Sequence, residues 1–316
     1  MKRSIQTSKP GNTVGIEYDH LAIRCACLAT DGRGGFTVEK LEEIRGDFSE
    51  DLGLLDGLRK LKGVLNIGIR DSVVSCLAGK QVFAAEIPFR KLGPEEMEQA
   101  LRLELRKTVH FEVATSSLDY ELISTGEDTE GGVAQFLVAL ASNTLLNRQL
   151  SLMEKAGIKT TAVDVLPIAI ANAIWAWKGS VEGNHPMVAL HIGPQVSTIV
   201  IDAEHSPFFN RTIYFAAEDV FKPLASQGDR EKRIQSLCEE VARSLIFYEK
   251  QDGASGFQEI LILGDSLDGE GLANQLHRVT GIPVRKMDLP AKLGAARKEH
   301  PGRFDLAIAL ALRGEG

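Results

Sequence analysis

The chain writes one pattern twice. Residues 13–18, 20–29 and 36–44 form three short runs of alternating apolar and polar positions, and Asp31-Gly32-Arg33-Gly34-Gly35 separates the second run from the third. The same succession of strand, turn, strand, turn, strand returns at Met187–Ile192, Val196–Asp202 and Phe208–Phe215, around Gly193-Pro194. Alternation with period two, bounded by glycine-rich turns, predicts strands. A three-stranded meander opening each half of the chain predicts two similar lobes, and 316 residues are enough to build both.

Helical spacing of apolar residues predicts helices over 54–61, from Pro94 onward, over 144–156, from Pro167 to Trp177, and over 230–250, 272–279 and 306–312. Further strands are expected at 64–69, 73–78, 82–87, 118–124, 133–141, 158–165 and 260–263, with Pro283-Val284 extended. Gly79-Lys80 reads as the hairpin joining 73–78 to 82–87, and 126–132 as an acidic loop. The polar stretch 178–186 divides the chain. The first lobe is then 13–178, with an inserted subdomain at about 88–165. The second is 186–316, its terminal helix packing back toward the first.

A net charge of −7 argues against a nucleic-acid surface, which needs concentrated Lys and Arg to displace counterions. Cys25 and Cys27 share one side of a strand and read as small buried hydrophobes, and no second ligand pair stands at metal-binding spacing. Lys2 and Arg3 are followed by no apolar stretch, so no signal peptide is expected. The apolar run near 168–177 is too short to cross a bilayer, so no direct membrane insertion is expected either.

The turns carry a resemblance to the actin, Hsp70 and sugar-kinase superfamily, whose lobes each offer a turn to nucleotide phosphates. Its first phosphate loop reads roughly Asp-x-Gly-x-x-x-x-Lys; here Glu17-Tyr18-Asp19-His20-Leu21-Ala22-Ile23-Arg24 stands there, with Gly15 just before. Its second loop resembles His191-Ile192-Gly193-Pro194-Gln195-Val196-Ser197-Thr198, and its adenosine-side motif resembles Ile260–Leu263 followed by Gly264-Asp265. A closer resemblance, to the type IV pilus assembly PilM family, covers about 14–313. It rests on the order of Ile87-Pro88, a helix containing Glu104, Phe111, Leu118-Asp119-Tyr120, Val163–Pro167, Phe209-x-Arg211-x-Ile213 and Arg243-Ser244-Leu245-x-Phe247-Tyr248.

This resemblance implies an α/β, actin-like (ribonuclease H-like) two-lobed fold with an inserted α+β subdomain in the first lobe. It implies a cytoplasmic adaptor, held at the inner membrane by the cytoplasmic tail of a PilN-like single-span protein, with other platform proteins as neighbours and self-association a further expectation. The tail would lie along Phe89, Leu101, Leu105, Phe111 and Tyr120. A related secretion protein of type II systems has a similar cytoplasmic part but continues into a membrane span.

The departures from the nucleotide motifs all point one way. Asp19 replaces a glycine that lets amides approach phosphate. Glu17 and His191 replace aspartates suited to hydrated Mg²⁺. Arg24 replaces a lysine, Pro194 removes an amide donor, and Asp265 replaces a second glycine. No cofactor is therefore expected, ATP and Mg²⁺ binding weakly if at all, with weak or no hydrolysis. The alternative is an active ATPase or kinase of the superfamily, keeping Glu17 as its acid.

Overall fold

The computed structural model describes residues 11–30, 35–125, 133–179, 185–194, 196–203, 206–217, 227–252, 256–264, 269–295 and 302–313. The first meander is β1 (Thr13–Tyr18), β2 (Ala22–Thr30) and β3 (Phe36–Arg45). Then come α1 (Asp51–Leu65), β4 (Ser72–Leu77), β5 (Val82–Arg90), α2 (Pro94–Leu105), β6 (Ser116–Thr125) and β7 (Val133–Ser142). The first half closes with α3 (Asn143–Lys155), β8 (Thr160–Val165) and α4 (Leu166–Lys178). The second meander is β9 (Met187–Ile192), β10 (Ser197–Ala203) and β11 (Ser206–Ile213). It is followed by α5 (Gln227–Asp252), β12 (Ile260–Gly264), α6 (Gly269–Thr280), β13 (Val284–Lys286), α7 (Leu289–Lys292) and α8 (Asp305–Arg313).

Two five-stranded sheets share one topology. The first runs β3-β2-β1-β4-β8 and the second β11-β10-β9-β12-β13. In each, an antiparallel meander is extended on the side of its first strand by two parallel strands. Parallel pairs need crossover connections: α1 links β3 to β4, α5 links β11 to β12, and α6 links β12 to β13. The connection from β4 to β8 has grown into a third sheet, β5-β7-β6, backed by α2.

Between the two main sheets lie α4 and α8. From Leu306 to Ala311 every residue of α8 is buried, the signature of a helix enclosed on all sides. The alanines let strands approach closely. At Gly15 on β1 an added Cβ would stand 1.9 Å from the Ala307 carbonyl oxygen.

Several expectations change. Residues 64–69 are not a strand: Leu65 completes the buried stripe Leu54-Leu58-Leu61 of α1, and Asn66 ends the helix at φ 53°. Gly79-Lys80 joins no hairpin, because β4 pairs with β1 and β8 while β5 pairs with β7. The chain leaves the first sheet there. The inserted sheet therefore starts at Val82, ahead of residue 88, and ends with β7 at Ser142, since α3 and β8 return to the first sheet rather than belonging to an insert reaching 165. Most of the turn 31–35 and all of the loop 126–132 lie outside the described residues.

Candidate functional site

The β1–β2 turn of the first lobe and the β9–β10 turn of the second face each other across a cleft of about 400 Å³, with Gly264 at the end of β12 completing its rim. Glu17, Asp19, His20, Arg24, His191 and Gly193 all line it.

The first turn is closed on itself. Asp19 Oδ1 accepts hydrogen bonds from the amides of Leu21 (2.6 Å) and Ala22 (3.0 Å), and Oδ2 accepts from Arg24 at 2.9 Å. Arg24 is 3% exposed. Its Nε donates to Glu43 at 3.2 Å, while Glu17 stands further off at 3.8 Å. A buried guanidinium is tolerated only where anions surround it. Burial alone would push the Glu43 carboxyl up, but the hydrogen bond from Arg45 and the charges of Arg24 and Arg303 overcome it and hold it below the usual range.

The second turn is shaped by glycines around one ring. The Gly193 amide donates to the Val196 carbonyl at 3.1 Å, and an added Cβ would meet that oxygen at 2.6 Å. Gly264 sits at φ 103°, where only glycine is unstrained. Between these glycines lies His191, whose Nδ1 is sealed from solvent without a partner. Burial first, then the nearby Arg24 charge, lowers its pKa to about 4, so the imidazole is neutral.

Other expected site residues lie elsewhere. Gly15 is a packing contact beneath α8, not a cleft residue. Ser197 directs its hydroxyl to the Phe215 carbonyl at 2.9 Å, and Thr198 is buried in β10. Gln195 and Asp265 lie outside the described residues. The five expected groove residues divide. Leu101 (0% exposed) and Leu105 (1%) are the core of the small sheet and cannot meet a partner directly. Phe89, Phe111 and Tyr120 are partly exposed around that core, Tyr120 edge-on to Phe136 at 6.1 Å.

Sequence reasoning missed a polar chain on the cleft wall. Gln149 on α3 donates to Ser75 Oγ (2.8 Å) and to the Cys76 carbonyl (3.2 Å), and accepts from the Tyr18 hydroxyl (3.0 Å). Burial pushes the Tyr18 phenol up to about 12. The available signal was a glutamine at helical spacing with Leu145 and Met153, on a face that should be apolar. Among the described residues, no group of three or more His, Cys, Asp or Glu is arranged to hold a metal ion.

Comparison with known proteins follows the same outline. The family model described as type IV pilus assembly protein PilM matches residues 34–229. A solved structure of a PilM–PilN type IV pilus biogenesis complex aligns over 97% of this chain and 99% of that one, at 20% identity and a TM-score of 0.81. A Bacteroides thetaiotaomicron protein with an actin-like ATPase fold aligns over 98% of this chain and 99% of its own, at 13% identity and a TM-score of 0.55. The cytoplasmic domain of EpsL, from the type II secretion system of Vibrio cholerae, aligns over 96% and 94% at 9% identity and a TM-score of 0.51. No curated protein matches by sequence. These likenesses fix the fold as actin-like, and since the family model spans more than half of the residues, the chain belongs to the type IV pilus assembly protein PilM family.

Proposed function

We propose that this protein is a binding subunit of a type IV pilus assembly platform that works without nucleotide turnover, capturing the cytoplasmic tail of a PilN-like membrane protein. The observation that carries the first half of this reading is the occupied first turn. The amides and the guanidinium that would meet a phosphate are already bonded to Asp19. Glu17 and Glu43 add further negative charge around Arg24, Pro194 offers no N–H, and His191 is a neutral ring. Phosphoryl transfer depends on positioning and charge neutralisation, and here the buried Arg24 is already neutralised by Asp19, Glu43 and the more distant Glu17. A magnesium triphosphate does not fit this donor set. The ATPase or kinase reading needs Glu17 to organise a metal, and Glu17 faces Arg24.

Tail capture is supported by the likeness to a solved PilM–PilN complex over nearly the whole chain and by the apolar side chains left partly open around the small sheet. Extended peptides are recognised by such sheets through backbone pairing and side-chain pockets. Among the described residues no helix is long and apolar enough to cross a membrane. A tail-bound subunit would reach the inner membrane through its partner.

Isothermal titration of the partner's N-terminal tail peptide tests this. Phe111→Ala and Tyr120→Ala, each verified as folded, should weaken binding at least about tenfold, the loss of one well-packed anchor being worth over 1 kcal/mol. Tail affinity unchanged in both variants removes the groove, and absence of binding to the wild type removes the partner.

A further inference from the structure

We infer that Asp19 is a built-in substitute for a ligand phosphate, holding the interlobe cleft in one geometry whether or not an anion is bound. The inference rests on the proposal that the cleft does not use nucleotide, and it goes further by naming what replaces it.

A phosphate oxygen in a turn of this kind accepts from successive backbone amides and from a cation. The Asp19 carboxylate makes the same set of bonds with two oxygens: Leu21 and Ala22 amides on one, Arg24 on the other. Its backbone is unstrained. Among the described residues the only non-glycine at positive φ is Asn66, so the turn tolerates a side chain at residue 19. What a glycine there would change is space beside the amides, not backbone conformation.

From Arg24 the contacts continue into the second lobe. Glu43 accepts from Arg24 Nε at 3.2 Å and pairs with Arg303 at 3.3 Å. The residue before Arg303, Gly302, accepts a hydrogen bond at its carbonyl from the Gly264 amide at 3.2 Å, at the end of β12. A carboxylate at residue 19 thus anchors the buried Arg24, Arg24 orients Glu43, and Glu43 holds the loop that meets the second sheet. In a ligand-dependent relative of this arrangement the first link would be supplied from solution. Here the chain supplies it.

Chemical rescue tests the idea. The probe is sodium pyrophosphate, with sodium chloride at matched ionic strength as the control, read by thermal melting and by calorimetric binding. The wild type should show no shift beyond the salt control. Asp19→Gly should melt several degrees lower, recover part of that loss in pyrophosphate, and bind it at least tenfold more tightly than the wild type. Asp19→Ala serves as the second variant if glycine loosens the turn. Asp19→Asn, which keeps an acceptor for the two amides but loses the charge, should be destabilised with little rescue. Adding Arg24→Gln to Asp19→Gly should abolish rescue.

A folded Asp19→Gly or Asp19→Ala that ignores pyrophosphate overturns the inference and leaves the adaptor reading standing. So does failure of both variants to fold even with pyrophosphate present. A wild type that itself binds pyrophosphate or ATP tightly overturns both.

Discussion

Two ionisable side chains, the partly buried His191 and the fully buried Asp305, oppose each other in their response to pH. His191 is held neutral, chiefly by burial, with its folded pKa lowered from 6.5 to about 4. The unfolded chain therefore binds the proton first as pH falls, and stability is lost between about 6.5 and 4. Asp305 runs the other way: burial raises its carboxyl to about 7, partly opposed by the Leu289 amide, which donates to it at 2.8 Å. The native state protonates first there, so its contribution is lost as pH rises from about 4 to about 7. Urea unfolding across about pH 4–8 should show His191→Asn flattening the acid limb and Asp305→Asn flattening the neutral one. An acid limb unchanged by His191→Asn would assign that loss to other groups. At this scale the sequence was legible in part. The identities of Glu17, Asp19 and His191 already departed from a phosphate loop. That Asp19 folds inward onto the amides depends on a rotamer and on Arg24 being buried, and neither is written in the motif. The misplaced Ser197 and Thr198 show the same limit, since strand alternation does not say which face meets a cleft.

Elements were more legible than their partners. Period-two and helical spacing located nearly every strand and helix, because a half-buried surface imposes its period on the residues that form it. Pairing is a non-local choice. Gly79-Lys80 looks like a hairpin locally, yet its flanking strands enter different sheets. Gly15 illustrates the same gap: a glycine within a strand signals close approach, but not to what. Its neighbour is the backbone of α8, so Gly15→Ala forces β1 and α8 apart. The expected loss is about 3 kcal/mol, at the upper end for overpacking, because backbone cannot rotate away as a side chain can. Gly63→Ala, at an exposed position of α1, has nothing within 4 Å of the added methyl and should instead gain up to about 1 kcal/mol. Urea midpoints of the two variants, moving in opposite directions, check the pair. Equal effects would mean that β1 and α8 are not tightly apposed.

The repeated meander announced two lobes, and the terminal helix was expected to pack back toward the first, but the core the lobes share was not foreseen. Ala26 and Val74 of the first sheet, Ala189 and Leu261 of the second, the inner face of α4 and most of α8 belong to one continuous buried cluster. Polar ties reinforce it. Asn210 on β11 donates to the Ala84 carbonyl on β5 at 2.7 Å, Arg313 pairs with buried Asp164 at 3.0 Å, and Trp177 on α4 donates to Glu259 at 3.1 Å. Two lobes with separate cores would melt separately, and chains of this length often do. A shared core makes separate melting costly, since either lobe unfolding alone would strip apolar cover from the other. Fluorescence of Trp175 and Trp177 on α4 and far-ultraviolet circular dichroism of the whole chain should therefore report one coincident urea transition. Leu310→Ala, in the middle of α8, should lower both signals together by about 2–5 kcal/mol. Separation of the two curves, in the wild type or in the variant, would mean that α8 serves one lobe only, and that the cleft between them is a hinge with independent halves.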